Sequence, residues 1–309
     1  MHLNQLHIHT PLMQSLALSQ YINGNVWLKI EAMQPSGSFK TRGIGLACRE
    51  YISNGAGRLV TSSGGNAGLA VAYAGRKYGV KTTVVVPETT TQKAIELIKA
   101  EQAEVIIEGA SWDESHRYAS NLHKGESAYI HPFDDPLVWN GHATMMDEIA
   151  ASELTPDAVV LSVGGGGLLC GVLEGLHRNG WTDVPVVAVE TEGADSLHQA
   201  VLADQLISLT AIESIATTLG AKRVTQTALG WTRKHNVITH VVSDLDAVEA
   251  CAKFLDHHRI LVEPACGASL STIYQPIESL QDKQNVLVIA CGGVGVSIAQ
   301  LQEWLQELS

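Results

Sequence analysis

Residues 158–178 have the sequence AVVLSVGGGGLLCGVLEGLHR, in which an apolar run leads through four glycines into a second apolar stretch. Residues 158–163 are almost continuously apolar, which is typical of a parallel strand covered on both faces. Leucine and valine then recur at helical spacing over residues 168–178, which predicts a helix. A strand that passes through a glycine turn into a helix indicates an α/β fold.

Short β-branched runs and longer helical patterns alternate in the same way along most of the chain. The predicted strands are residues 58–61, 82–86, 104–107, 158–163, 184–189, 238–242 and 286–290. The predicted helices include residues 67–78, 91–100, 112–122 and 168–178. This alternation predicts doubly wound α/β domains with open, mostly parallel twisted sheets.

Composition restricts the partners and the compartment. The 309 residues include 20 Lys+Arg against 32 Asp+Glu, a formal net charge of −12, and without a basic run neither nucleic acid nor an anionic membrane is an expected partner. No apolar run reaches the ~18 residues that span a bilayer, and the N-terminal MHLNQLHIHTPL lacks the form of a signal peptide. The five cysteines show no CxxC spacing. Reduced thiols in a cytoplasmic protein are therefore expected.

Glycine-rich turns follow three of the predicted strands: SSGGNAG at 62–68, GGGGL at 164–168 and CGGVGVS at 291–297. Open α/β sheets bind ligands beyond the carboxyl ends of their strands, so these turns predict a binding cleft. A strand–glycine–helix junction offers backbone N–H groups and the positive end of the helix dipole, which suits a carboxylate or phosphate. Close packing in ordinary βα turns is the alternative. The absence of Gly-Lys-Ser/Thr after GGGGL argues against a nucleotide P-loop.

Two reactive side chains accompany these turns. Lys40 lies in PSGSFKTRG, residues 35–43, among small residues and beside Phe39. A Schiff-base lysine needs a site that can keep its amine neutral, whereas the alternative is a solvated lysine in a turn. Cys291 ends the last apolar strand and is either a ligand-facing thiol or a small buried hydrophobe.

Taken in order, these segments resemble the β-family of pyridoxal-phosphate enzymes, fold type II, which includes the tryptophan synthase β-subunit. PSGSFKTRG resembles its lysine motif, SSGGNAG its substrate loop and GGGGL its phosphate loop. EPACGA at 263–268 and VIACGG at 288–293 resemble the distal part of the site. With HPFDDPLVWNGH at 131–142, the chain is most similar to the L-serine/L-threonine dehydratases of the short liver type. The resemblance covers essentially the whole chain.

The resemblance implies two α/β domains with pyridoxal 5′-phosphate in the cleft between them. Residues 40–144 would form the small domain, and residues 1–39 plus 145–309 the large, cofactor-binding domain. By the same resemblance the protein would be a homodimer.

The resemblance also implies roles for single residues around the substrate. Lys40 would carry the cofactor covalently and remove the Cα proton, and Phe39 would pack on the cofactor ring. Asn66 would hydrogen-bond the ring's 3-hydroxyl and, with Ser63, Gly65 and Ala67, bind the substrate. The leaving hydroxyl would take its proton from Ser63 or from the cofactor phosphate.

Further residues would hold the rest of the cofactor. The phosphate loop would consist of Gly164, Gly165, Gly166, Gly167 and Leu168. Cys291 would face the pyridine nitrogen. Because a neutral thiol, with an ordinary pKa of about 8.5, cannot keep that nitrogen protonated, β-elimination is favoured over racemisation or transamination.

Two further expectations come from the resemblance. A monovalent cation, K⁺, would be bound by Glu190, Ala194, Leu219 and Ala221. Gly64 departs from the most active liver-type enzymes, which commonly have alanine there. Since glycine has more conformational freedom, we expect a looser loop and a lower catalytic efficiency.

The predicted activity is the conversion of L-serine to pyruvate and ammonia, and of L-threonine to 2-oxobutanoate. A serine racemase or a threonine-preferring deaminase of the same fold is the first alternative. A catalytically silent protein that binds pyridoxal phosphate is the second. Cys291 and EPACGA favour the dehydratase, and a chain that ends at Ser309 is too short for a regulatory C-terminal domain.

Overall fold

The computed structural model describes residues 3–122 and 124–309. Within those ranges lie ten strands: β1 Leu12–Gln14, β2 Asn25–Ile30, β3 Arg58–Ser62, β4 Lys81–Val86, β5 Glu104–Ile107, β6 Ser127–Tyr129, β7 Ala158–Ser162, β8 Val186–Thr191, β9 Val237–Val242 and β10 Asn285–Ala290. The α-helices of the same ranges are α1 Leu16–Ser19, α2 Lys40–Ser53, α3 Asn66–Tyr78, α4 Gln92–Ala100, α5 Trp112–Leu122, α6 Pro136–Ala150, α7 Gly167–Arg178, α8 Ser196–Leu202, α9 Gln226–Thr232, α10 Asp244–His258, α11 Pro264–Tyr274 and α12 Ile298–Leu308.

The chain divides into two compact units. Of the described residues, unit 1 contains 3–8 and Gln34–His142, and unit 2 contains His9–Met33 and Ala143–Ser309. These bounds differ from the predicted ones, because residues 3–8 and 34–39 group with the smaller unit and Ala143 and Thr144 with the larger one. The physical reason is contact with unit 1: Tyr78 Oη donates to Asn4 O at 2.8 Å, Leu6 packs against the buried cluster of Ile44, and Ser36 Oγ lies 2.6 Å from Thr41 Oγ1.

Unit 1 is built on a four-stranded parallel sheet in the order β5-β4-β3-β6. Successive side chains of β3 point to opposite faces, as strand geometry requires. Leu59 belongs to a buried cluster with Ile44 of α2 and Val71 of α3. The next residue, Val60, packs in a separate cluster with Ala119 of α5. Helices therefore cover both faces of this sheet, which directs ligands to its carboxyl edge.

Unit 2 contains a six-stranded sheet in the order β1-β2-β10-β7-β8-β9. Every neighbouring pair is parallel except β1 with β2. All five residues of β7 and all six of β8 are buried, in agreement with their continuous apolar sequences. Because β10 and β7 are parallel neighbours, the segments that follow them begin at the same edge of the sheet.

The predicted α/β class with mostly parallel sheets is confirmed. The glycine-linked strands and helices lie within two residues of their predicted bounds, whereas β1, β2 and β6 were not predicted. Within 3–122 and 124–309 no helix combines the length and apolar character needed to cross a membrane. The five cysteines all lie in the described ranges and form no disulfide.

Candidate active site

In unit 1, the segments that follow β3 and β6 meet at the carboxyl edge of the sheet. Val60 is paired with Tyr129, and beyond that pair Ile130 N–H donates to Val60 O at 2.7 Å. Thr61 Oγ1 then donates to Ile130 O at 2.8 Å. The SSGGNAG turn and the HPFDDP segment thus leave the sheet side by side.

Lys40 is the first residue of α2, and its amine reaches the second of these segments. Lys40 Nζ donates to the carbonyl oxygen of Pro132 at 2.6 Å. The same nitrogen lies 5.2 Å from the centroid of the Phe39 ring. The Lys40 side chain is therefore half-buried between an aromatic face and a backbone carbonyl, and the alternative of a fully solvated lysine is wrong.

His142 is a buried neighbour of this lysine that the sequence analysis missed. Its ring lies 4.8 Å from the Phe39 ring, and its Nδ1 accepts from Gly43 N–H at 3.2 Å. Burial lowers the pKa of His142 well below its usual range, and the positive charges of Lys40 and Arg42 lower it further. The neutral His142 imidazole therefore packs against the Phe39 ring.

The substrate loop predicted at SSGGNAG connects β3 to α3. Gly65 is the N-cap of α3, and Ser63 Oγ accepts from Gly65 N–H at 3.3 Å. A Cβ on Gly68 would lie 1.8 Å from the carbonyl oxygen of Ser63, so only glycine permits this close approach. The amide groups of Ala67 and Gly68, in the first turn of this 13-residue helix, donate to no acceptor within the described chain. This arrangement suits the carboxylate of an amino acid.

The packing around Gly64 explains why a glycine lies at this position, which the amino-acid sequence alone did not indicate. Gly64 is not among the residues with positive φ, so its backbone is accessible to other residue types. A Cβ there would lie 2.5 Å from Thr90 Oγ1 and 2.6 Å from Thr90 Cγ2. Thr90 therefore occupies the space that a methyl group at position 64 would need.

Five rings underlie the Ser62 and Pro132 segments, and we call them the aromatic–histidine cluster: Trp112, His116, Tyr129, His131 and Phe133. Trp112 Nε1 donates to Ser62 O at 2.5 Å. Tyr129 Oη lies 2.6 Å from Ser62 Oγ and 2.7 Å from His116 Nδ1. Burial raises the pKa of Tyr129 and lowers that of His116, so both groups are neutral near pH 7. The cluster anchors the strand end from which the substrate loop starts.

In unit 2, the glycine loop connects β7 to the 12-residue helix α7. Gly166 is the N-cap of α7 and has φ +93°, in the left-handed region that favours glycine. A Cβ on Gly166 would lie 2.5 Å from the Cβ of Ala228, and one on Gly164 would lie 3.1 Å from Leu219 Cα. Packing alone therefore requires a small residue at both positions.

The same loop also fits an anion. The backbone N–H groups of Gly165, Gly166, Gly167 and Leu168 donate to no acceptor in the described ranges. Successive amides at the positive end of a helix are a phosphate-binding arrangement. The residues present therefore fit the phosphate of the expected cofactor.

Cys291 follows β10 and is 5% exposed. Its thiol is hydrogen-bonded with Cys266, and this bond together with burial raises the pKa of Cys291 well above its usual value. Next to it, Gly293 has φ +121°, and a Cβ there would lie 1.9 Å from Cδ of Glu263. Glu263 in turn accepts from Thr218 Oγ1 at 2.7 Å. The Cys291 thiol and the Gly293 backbone thus lie against Cys266 and Glu263 of the EPACGA segment. The sequence alone did not indicate these contacts.

Glu190, the first predicted cation ligand, lies near the end of β8 and is fully buried. Its carboxyl oxygens accept from Leu197 N–H at 2.9 Å and His198 N–H at 2.8 Å. Burial raises its pKa to about 8, while these two backbone hydrogen bonds act in the opposite direction. The Glu190 carboxyl group therefore already has two backbone donors.

The other three predicted cation ligands would contribute backbone carbonyls. Ala194 bridges back to Thr191, and Thr191 Oγ1 lies 2.8 Å from Ser214 Oγ, which ties β8 to the segment that runs on to Leu219 and Ala221. In the described ranges no group of three or more His, Cys, Asp or Glu residues is arranged to hold a metal ion. A site of one carboxylate and several carbonyls remains a prediction.

Comparison with known proteins gives a consistent result over the whole chain. The sequence profile of a family described as pyridoxal-phosphate dependent enzyme matches residues 3–292. The chain is 47% identical to human L-serine dehydratase/L-threonine deaminase, with 98% of this chain and 96% of that protein covered. It is 46% identical to the L-serine dehydratase of Dictyostelium discoideum, with 98% and 93% covered.

A solved structure agrees with these sequence relatives. The L-serine ammonia-lyase of the fungus Rhizomucor miehei has a TM-score of 0.94 and 34% identity, with 99% of this chain and 100% of that chain covered. The likeness therefore extends over both units.

Proposed function

This chain belongs to the family of pyridoxal-phosphate dependent enzymes, and on that premise we propose that it eliminates water from L-serine to give pyruvate and ammonia. L-threonine is the second substrate and gives 2-oxobutanoate. The observation that carries the proposal is the nearly full-length likeness to proteins named L-serine dehydratase. The chemistry of the described groups supports it.

The proposed cofactor-binding residues are those of the motifs described above. We assign the phosphate to the amides of Gly164, Gly165, Gly166, Gly167 and Leu168, the ring to Phe39, Asn66 and Cys291, and the covalent attachment to Lys40. When bound, pyridoxal phosphate supplies an electron sink that makes the Cα proton of an amino acid acidic. The support is the row of unpaired amides at α7 and the aromatic face beside the Lys40 amine.

The protein groups then perform acid–base chemistry. The Lys40 amine, held at the Pro132 carbonyl, would remove the Cα proton of the substrate. Ser63 would donate a proton to the departing β-hydroxyl, and Gly65, Asn66 and Ala67 would hold the substrate carboxylate. The aminoacrylate that leaves the enzyme takes up water and yields pyruvate and ammonia.

Cys291 favours elimination over racemisation. Its hydrogen bond with Cys266 and its burial keep the thiol protonated, so it cannot act as a carboxylate counter-ion for the ring nitrogen. A weaker electron sink would leave less time for reprotonation at Cα, and protonation of the β-hydroxyl by Ser63 would let it depart as water.

We also propose that the enzyme needs K⁺, bound by the Glu190 carboxylate and the carbonyl groups of Ala194, Leu219 and Ala221. We further propose that it is a homodimer of the cytoplasm. Five cysteines without a disulfide suit a reducing compartment. Sedimentation of the purified protein would test the homodimer.

The decisive experiment follows pyruvate in a coupled assay after L-serine is added to the purified protein with pyridoxal phosphate and K⁺. Pyruvate from L-serine, with 2-oxobutanoate from L-threonine, is the expected result. A bound-cofactor absorbance without either oxo acid would contradict the dehydratase. Measurement of D-serine in the same sample would then separate a racemase from a silent cofactor-binding protein.

A further inference from the structure

The position of the Lys40 amine depends on a backbone carbonyl. Lys40 Nζ donates to Pro132 O at 2.6 Å, which is short for an N–H···O hydrogen bond. A carbonyl group has no rotamer of its own, so its direction is set by the turn to which it belongs. Proline has no N–H with which to stabilise that turn itself. The turn around Pro132 therefore needs another source of hydrogen bonds.

The side chain of His131 provides them. Its Nδ1 accepts from Phe133 N–H at 3.2 Å and from Asp134 N–H at 2.8 Å. These bonds enclose Pro132 between the ring and the two following amides. They also assign the tautomer: Nδ1 has the lone pair, and the proton of the neutral ring is on Nε2.

Packing holds the imidazole in this acceptor role. The His131 ring lies 4.7 Å from the Phe133 ring and 5.4 Å from the His116 ring. Burial lowers the pKa of His131 to about 3, and the neighbouring His116 and Lys40 lower it further. Nδ1 thus keeps its lone pair throughout the neutral pH range.

We propose that His131 is a positioning residue for Lys40: its Nδ1 fixes the turn that holds the Pro132 carbonyl against the lysine amine. Its catalytic meaning rests on the proposed function, whereas the hydrogen bonds belong to the chain itself. A carbonyl acceptor stabilises the charged ammonium more than the neutral amine. Loss of the turn should therefore lower the pKa of Lys40 and leave the amine poorly placed for proton removal.

The test compares His131→Leu, which fills the space but has no acceptor, with His131→Asn, whose Oδ1 can accept from amides two and three residues ahead. The pH dependence of Lys40 acetylation by trace acetic anhydride is measured by peptide mass spectrometry on the full chain without added cofactor. We expect the midpoint for Lys40 to fall by about one pH unit in His131→Leu, since a hydrogen bond to a charged group is involved. We expect the wild-type midpoint in His131→Asn.

Two controls separate a positioning role from a structural one. His235→Leu removes a buried histidine of unit 2 that lies 2.7 Å from Val184 O, so it loses a hydrogen bond within unit 2. It should leave the Lys40 midpoint unchanged. Hydrogen exchange at the Phe133 and Asp134 amides should be faster in His131→Leu alone. With the cofactor bound, His131→Leu should lower kcat about tenfold with little change in KM.

A folded His131→Leu protein with the wild-type Lys40 midpoint would overturn the proposal. If His131→Leu does not fold, the His131→Asn protein decides the question. A Lys40 midpoint that differs from wild type in His131→Asn would overturn the proposal, because it would show that the imidazole ring is needed and its acceptor atom is not sufficient. The midpoints are measured without substrate. A wild-type protein that produced no pyruvate would therefore refute the proposed function while the assignment of His131 was still tested.

Discussion

The two sheets present different kinds of chemical groups at their carboxyl edges. In unit 1 the edge carries side chains with protons that can be transferred: the Lys40 amine at the Pro132 carbonyl and the Ser63 hydroxyl before α3. In unit 2 the edge carries mainly backbone donors, the amides that open α7, together with a thiol whose pKa is raised. The edge of unit 1 combines reactive side chains with two amides that are free within the described chain, whereas the edge of unit 2 is suited mainly to holding an anion.

This difference predicts how each edge responds to substitution. Removing a single side-chain functional group abolishes the chemistry of that group, whereas a row of backbone amides stops binding only when the backbone is distorted. Alanine at Lys40 should therefore remove activity without unfolding the protein. Alanine in the glycine loop should cost both stability and cofactor affinity.

The largest effect is expected for Lys40→Ala. Turnover of L-serine should fall at least about a thousandfold, because the proposed covalent attachment and the proposed general base are both removed. The amides of α7 are unchanged, so pyridoxal phosphate should still bind without the absorbance of its covalent lysine adduct. Lys81→Ala, at an exposed lysine of β4, is the matched control and should keep full turnover. Activity retained in Lys40→Ala would refute the assignment.

Gly166→Ala should damage the second edge. The new Cβ meets Ala228 at 2.5 Å, and the residue has φ +93°. We expect a loss of about 2–4 kcal/mol in the free energy of unfolding, from strain and overpacking together. Losing one or more phosphate hydrogen bonds should also weaken cofactor binding about 10–100-fold.

Gly180→Ala is the matched control for this loop. It has φ +77°, and its Cβ would have no neighbour within 4 Å. Urea unfolding should therefore report only the backbone cost, about 1 kcal/mol, with cofactor affinity unchanged. Equal affinities for the two variants would show that the glycine loop does not hold the phosphate.

A smaller effect is expected for the cation proposed at β8. Ligand binding raises the free energy of unfolding by about 2.7 kcal/mol at a hundredfold excess over Kd. Wild-type protein should therefore be more stable and more active in KCl than in LiCl, and Glu190→Gln should lose that difference. Thermal unfolding and turnover in the two salts measure it. Identical behaviour of the wild-type protein in K⁺, Na⁺ and Li⁺ would remove the cation from the proposal.

The sequence predicted those parts of the two sheet edges that depend only on a short, continuous stretch of the chain. The β7–glycine–α7 unit is recognisable because an apolar run, a residue with positive φ and a helical pattern follow one another within about twenty residues. The bounds of α5, Trp112–Leu122, were predicted correctly for the same reason. The family resemblance then supplied roles that spacing alone left open.

Contacts between distant residues could not be predicted in this way. The strand β2 was missed because Lys29 interrupts its apolar character, yet its buried ammonium lies 2.5 Å from Glu148 and 2.8 Å from Thr10 O. The partner of Lys40 is a backbone carbonyl 92 residues away, which no side-chain pattern indicates.

The smallest effect, at Gly64, sharpens the contrast between the edges because it separates loop flexibility from packing. Gly64→Ala alone is an ambiguous test of loop freedom, since its Cβ would collide with Thr90 Oγ1 at 2.5 Å and disturb the loop that it should stiffen. We therefore expect the single variant to lose kcat/KM for L-serine. Thr90→Ala removes the two closest atoms and leaves the Cβ of residue 90 at 3.1 Å, which a shift of a few tenths of an ångström relieves.

In the Gly64→Ala/Thr90→Ala double variant, the loop loses the extra freedom of glycine without the collision. We expect kcat/KM about 2–5-fold above that of Thr90→Ala, equivalent to about 0.5–1 kcal/mol of restricted backbone entropy. The comparison with Thr90→Ala matters because it isolates the effect of residue 64. Equal kcat/KM in these two proteins would mean that Gly64 is there to accommodate Thr90, and that loop freedom does not limit the reaction.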